Sequence, residues 1–318
     1  MKTTKDFLWK PNMQITPFLD SLGSIGFQSV ELKNASDLIV KMKSSGAKIY
    51  LTFTSNMVTS GLRGFFAQLI KLKLADVIVT TAGAIEEDIM KALGEKFEIG
   101  SFYADDIRHH ERGENRIGNL IIRNESYMKF EDWMNPFLKK LYTKKIRWTI
   151  SEFLKELGNN IEDENSILHQ AAKNNVPIFC PGLTDGSIGF HLFMFQQDHD
   201  DFIIDSIKDF KNIIFTSNQD EKKGIISLGG GISKHHAVLA GLLNGGFHYA
   251  LYMTTAHQSS GSMSGATTQE AKSWGKIKDD SDAVTVIGDV SVNFPLATCR
   301  ALDILQERGV LSDQEDKV

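Results

Sequence analysis

Three apolar runs that each break off at small or acidic residues do most to limit what this chain can fold into. ISLGGG (226–231), YALYMTTA (249–256) and VTVIGD (284–289) have the length and the β-branched or aromatic content of core strands, and each ends in glycine, threonine, alanine or aspartate. Helix-like segments follow the first and third runs. SKHHAVLAGLLNGG comes after the first and FPLATCRALDILQERG after the third. Earlier in the chain KIYLTFTS (48–55), DVIVTTAG (76–83) and VPIFCPGLTDGS (176–187) repeat the plan of strand, polar turn and helix. Alternation repeated this often predicts an α/β fold with a mainly parallel sheet and helices on both faces. In such sheets ligands bind outside the carboxyl ends of the strands, so the turns are where function is expected.

Residues 1–47 read as an N-terminal helical region, with Gly46 ending its second helix. No linker rich in proline, serine or charge interrupts the rest, so a single domain over 1–318 is expected. Glu86 and Glu87 fall where the second unit's helix begins, and charge placement at a helix N-terminus explains them without any chemistry. Between Tyr103 and Tyr142 the apolar periodicity weakens into DDIRHHERGENR, read as a solvated, charge-paired excursion. His109 and His110 do not form a metal site, because adjacent histidines cannot face one way on a helix. Ser151 is the candidate N-cap of SEFLKELG, without a capping box because Leu154 stands three residues on.

A net charge of −5 and a pI near 6.0 give no basic stripe, so no nucleic-acid partner is expected. The first residues lack a signal-peptide core and no apolar stretch is long enough to span a bilayer, so the expectation is a cytoplasmic protein with no membrane association. Cys180 and Cys299 fit neither a disulfide framework nor a zinc site and are expected as buried thiols.

Several turns have the character of a phosphate or ribose site. LGGG before a helix offers backbone N–H groups, while Ser55, Thr80, Thr81, Thr255 and Asp289 offer hydroxyls and a carboxylate. The pattern is neither GxGxxG nor a P-loop, so dinucleotide binding and a merely tight set of turns both stay open.

Six segments, taken together and in this order, are more specific: TSNMVTSG, TTAGAIEED, CPGLTDGS, LGGGISKHH, YALYMTTA and EAKSWGKI. Over most of its length the chain resembles the deoxyhypusine synthase family. The resemblance implies a Rossmann-like sheet, a homotetramer, and NAD-dependent transfer of a 4-aminobutyl group from a polyamine, spermidine, through an imine on a lysine to a lysine-bearing translation factor. It implies that Lys276 forms the imine, that His235 transfers protons and that Glu87 is the active-site glutamate. Trp274, Tyr252 and Glu270 would contact substrate. Ser55, Asn56, Thr80, Ala82, Gly83, Glu86, Asp185, Gly230, Thr255, Ala256, Asp289 and Val290 would line the NAD site, and no metal is implied. The chain departs from the family pattern at Phe190, Met263 and Leu239, where the family has polar residues that hold the amines of spermidine, and at Ser260, where it has an aspartate on the NAD side. These changes point to a rebuilt donor pocket. A homospermidine synthase-like enzyme with a small diamine acceptor, or a non-catalytic paralogue, are the alternatives.

Overall fold

In the computed structural model, which describes residues 3–311, eleven strands form three sheets. They are β1 (Lys48–Thr52), β2 (Val77–Val79), β3 (Glu98–Ile99), β4 (Glu114–Ile117), β5 (Leu120–Arg123), β6 (Arg147–Thr149), β7 (Ile178–Phe179), β8 (Ile203–Asp205), β9 (Lys223–Leu228), β10 (Phe247–Thr254) and β11 (Ile277–Ile287). The largest sheet has the order β11-β10-β9-β1-β2-β7, is parallel and is flanked by helices, as the alternating pattern predicts. All six residues of β9 are buried, which explains why this strand reads as an apolar run rather than an alternation.

The chain divides into two compact units. The first gathers the described residues up to Phe53, Leu72–Val77 and those from Ile213 onward. Here the helices Gln28–Ser44 and Val290–Glu307 pack together, and the N-terminal helical expectation is met by Ile15–Leu22 and Gln28–Ser44. The buried Arg300 ties these helices by donating to Asp20, Ser36 and Asp37, three acceptors that offset the cost of burying its charge.

The second unit comprises Thr54–Lys71 and Ile78–Asn212. The stretch expected to be a solvated, charge-paired excursion is mostly exposed and pairs Arg116 with Asp106, but it also forms the helix Asp106–Glu111 and β4, a strand of the antiparallel sheet β3-β5-β4. The sequence hides β4 because ENRI alternates half-buried with exposed positions, so its inward side chains are not apolar. His109 lies 2.7 Å from Glu114 through Nδ1, which makes it a structural partner of that carboxylate. The expected Ser151 cap is also corrected. Thr149 caps the helix Ile150–Asn159 and forms a full capping box with Glu152, while Ser151 donates to the buried Asp209. Cys180 is buried, and burial pushes its thiol up to about 12; Cys299 is half-buried. No helix among the described residues is long and apolar enough to cross a membrane.

Candidate active site

Lys276 stands between the helix Thr268–Ser273 and β11, and three local features place it. Thr267 caps the helix by accepting from the Glu270 N–H, Trp274 closes it, and Gly275 turns the chain at φ +67, a conformation that suits a residue without Cβ. The Lys276 side chain is then turned inward. Its Nζ lies 4.0 Å from Met263 Sδ and 5.1 Å from the centre of the Trp274 ring. Burial lowers its pKa, opposed by the charge of Glu270. Trp274 is 64% exposed, so it is no core tryptophan, and its ring face is open to a cation.

Two further residues complete this neighbourhood, and the sequence pointed to only one. Tyr252, on β10, is buried with its hydroxyl unpaired, and burial pushes its pKa up. Lys234, which sequence reasoning passed over, is 1% exposed and lies 4.0 Å above the Tyr252 ring. Its Nζ donates to the carbonyls of Met263 and Ala266, and burial lowers its pKa to about 8. A buried lysine next in sequence to His235 carries no sequence signal, because helix-surface lysines look the same. His235 is exposed on the helix Gly231–Leu243, whereas His236 is half-buried and held down to about 4 by burial. Glu270 is exposed.

The glycine run has a packing reason of its own. A Cβ at Gly230 would stand 2.3 Å from Ser264 Cα, and the Gly231 N–H donates to Ser264 Oγ at 3.0 Å. The helix start thus seats the 257–267 loop. Asp289 caps the helix Val290–Glu307, its Oδ1 accepting from Ser291 N–H at 2.7 Å; Val290 is buried behind it. Thr255 and Ala256 follow β10, Thr255 exposed and Ala256 half-buried.

On the second unit the placement of Glu86 and Glu87 is the main correction. They lie beyond the first turn of the helix Ala82–Ala92 and both are buried, so simple N-terminal charge placement does not account for them. Glu86 instead accepts from the N–H groups of Ile188, at 3.1 Å, and Ser187, and so serves the N-terminus of a different helix, Ser187–Gln196. Glu87 accepts from Thr59 Oγ1 at 2.5 Å, and burial raises its pKa to about 7, against the pull of that hydrogen bond and with the charge of Glu86 adding to the rise. Thr59 Oγ1 also lies 3.0 Å from Ser55 O in the turn after β1, so its one proton can serve either acceptor. Ser55 N–H donates to Thr81 Oγ1, Asn56 is exposed and paired with Thr54, and Thr80 is buried, its N–H bonded to Phe179 O. Ala82 and Gly83 open the helix that carries the glutamates, and Asp185 is exposed before the helix Ser187–Gln196.

An acid whose folded pKa lies above its unfolded value holds an extra proton in the native state, so it subtracts stability as pH rises from its ordinary 4.5 to about 7. Glu87→Gln keeps an oxygen acceptor for Thr59 without the charge. Urea unfolding should therefore show little change near pH 5 and a gain at pH 8 on the order of 1–3 kcal/mol. Equal shifts at both pH values would remove the charge as the cause.

Comparison with known proteins matches residues 17–301 to the family model described as deoxyhypusine synthase. The chain is 41% identical over 303 residues to a candidate deoxyhypusine synthase of Schizosaccharomyces pombe, covering 90% of this chain and 86% of that protein. It is 36% identical over 330 residues to the deoxyhypusine synthase of Kluyveromyces lactis, covering 90% and 87%. Among solved structures, that of a candidate deoxyhypusine synthase from Entamoeba histolytica superposes with a TM-score of 0.67 at 27% identity, covering 94% of this chain and 97% of that one.

Proposed function

The chain belongs to the deoxyhypusine synthase family of aminobutyl transferases, and from that premise we propose that it uses NAD and carries the aminobutyl group as an imine on Lys276. The observation that supports this most is the inward-turned Lys276, its pKa lowered by burial beside the open ring of Trp274. A neutral amine is what attack on carbon requires. When bound, NAD supplies a hydride acceptor for the donor amine and returns the hydride later. Glu87, with a pKa of about 7, can take a proton at working pH, and the exposed His235 can pass protons to or from the acceptor amine. Trp274 offers its ring face to an ammonium, and Tyr252 and Glu270 offer a hydroxyl and a carboxylate.

Within each unit, taken separately, the residues assigned to NAD have the chemistry that such a group needs. On the second unit Ser55, Asn56, Ala82, Gly83 and Asp185 lie at turns or helix starts, with Asp185 and Asn56 exposed, and Thr80 and Glu86 are buried behind them. On the first unit Thr255, Ala256, Asp289 and Val290 follow strands at the start of a loop or helix, while Gly230 offers only its main chain because Ser264 fills the side-chain space. A polyamine donor, a lysine-bearing translation factor as acceptor and a homotetrameric assembly complete the proposal. The exposed Phe190, Phe193 and Met194 on one helix are an apolar face that supports self-association. Light scattering at micromolar concentration should give a mass about four times that of the chain; a monomer removes the assembly.

Met263 Sδ stands 4.0 Å from Lys276 Nζ, where a carboxylate would pair with an ammonium; the resemblance assigns Phe190 and Leu239 to the same donor pocket, and with them three polar anchors would be lost. The test is incubation with NAD and a panel of polyamines, followed by borohydride trapping and mass spectrometry. Trapped aminobutyl adduct on Lys276 is expected, with spermidine turned over slowly and kcat/KM raised at least about tenfold by Met263→Asp with Phe190→Asp, since a charge-assisted pair is worth about 1.5–3 kcal/mol, or roughly 10- to 150-fold. Fast spermidine turnover without gain from the aspartates ends the rebuilt-pocket idea. Turnover only with a diamine acceptor selects the homospermidine synthase-like alternative, and no adduct with any amine selects a non-catalytic paralogue.

A further inference from the structure

The loop that carries Met263 to Lys276 has little regular structure of its own: the short 3-10 turn Gln258–Ser260 lies near its start, and the helix Thr268–Ser273 begins only at its end. Something else must hold it. Contacts from the start of the helix Gly231–Leu243 do. Gly230 leaves room for the Ser264 backbone, Gly231 N–H donates to Ser264 Oγ, and Lys234 Nζ donates to Met263 O at 2.9 Å and Ala266 O at 2.8 Å. Hydrogen bonds inside the loop, such as Gly265 N–H to Ser262 O, Ser262 N–H to Ser260 Oγ and Ser264 N–H to Ser262 Oγ, join only near neighbours in the chain.

Lys234 is the only side chain in this set that is charged and fully buried, and carbonyls on both sides of the Ser264–Gly265 turn converge on its ammonium. A buried ammonium needs such acceptors, and two free main-chain carbonyls need such a donor, so each group fixes the other. The remaining face of the ammonium rests on the Tyr252 ring, which adds a cation–π contact and orients the ring whose hydroxyl is unpaired. One side chain therefore touches both the loop that carries Met263 to Lys276 and the Tyr252 ring.

We propose that Lys234 is a positioning residue for the imine chemistry, a strut that fixes the 257–267 loop and the Tyr252 ring around Lys276. The proposal rests on the reading of Lys276 as the imine-forming lysine. Lys234 itself contacts no substrate. Its ammonium is held between opposing charges, Lys276 lowering its pKa and Glu270 raising it.

Three variants of the full chain test it, Lys234→Met, Lys234→Arg and Lys276→Arg, each followed by amide hydrogen exchange and by trapping with NAD, spermidine and borohydride across a range of pH. Lys234→Met should speed exchange in the 257–267 loop about tenfold, leave β10 and β11 protected, and cut the trapping rate by more than about tenfold. Lys234→Arg, which can donate to the same carbonyls and keeps the charge, should restore loop protection and most of the trapping. A Met variant with a protected loop and wild-type trapping overturns the proposal. If the Met variant does not fold, the Arg variant decides alone: a protected loop with trapping retained supports the strut, and a protected loop with trapping lost overturns it. Absence of any adduct on Lys276 in the unaltered protein ends the parent reading, and the exchange measurement, which needs no substrate, still decides whether Lys234 holds the loop.

Discussion

Lys276→Arg should abolish the borohydride-trapped adduct, with a loss of turnover of at least about a thousandfold, the scale expected when a covalent nucleophile is removed. Arginine retains the cation near the Trp274 ring, so packing and local charge change little. What it cannot do is become neutral. A guanidinium stays protonated at any working pH, whereas burial already draws the Lys276 amine toward its neutral form. Calorimetry should find NAD affinity within about twofold of the unaltered protein, because no assigned cofactor contact is touched. Mass spectrometry after trapping reads the first half, and an Arg variant with full turnover would remove the lysine imine from the mechanism altogether.

The largest effect on stability is expected at a residue that no sequence pattern singled out. Asp88 follows Glu86 and Glu87 directly and is 1% exposed. Its carboxylate takes the Nε of the buried Arg63, the Ser166 hydroxyl at 2.9 Å, and the N–H groups of Ile167 at 3.2 Å and Leu168 at 2.8 Å. It is therefore both the counter-ion of a buried guanidinium and an anion at the start of the helix Ile167–Lys173. Asp88→Ala leaves Arg63 with Asp163 as its remaining ion-pair partner and exposes two helix N–H groups to an apolar surround. Removing one partner of a buried ion pair costs about 3–5 kcal/mol. Urea unfolding of the variant should show a loss of that size, and Asp88→Asn, which keeps an acceptor oxygen but loses the charge, should lose about 1–3 kcal/mol. A loss under about 1 kcal/mol for the alanine variant would mean that Arg63 finds water instead.

The consecutive acids Glu86, Glu87 and Asp88 mark the boundary between what the sequence determined and what the tertiary structure decided. The parallel sheet was legible because strand content, turn residues and helix periodicity are local properties, repeated at β1, β2, β7, β9, β10 and β11. Lys276 was legible because EAKSWGKI resembles a known motif, and composition alone would have left it a surface lysine. The fates of the three acids were not legible. Glu86 serves a helix start 102 residues away, Glu87 pairs with a threonine 28 residues away, and Asp88 binds a helix start 78 residues away. The same holds for Lys234, whose acceptors lie 29 and 32 residues downstream, for Gly230, which gives way to Ser264, and for the polar hairpin strand β4. Local periodicity records which face of an element is buried, but it holds nothing about which polar partner waits there. A buried charge takes its role from the donor or acceptor that meets it, and that meeting exists only once distant segments have packed.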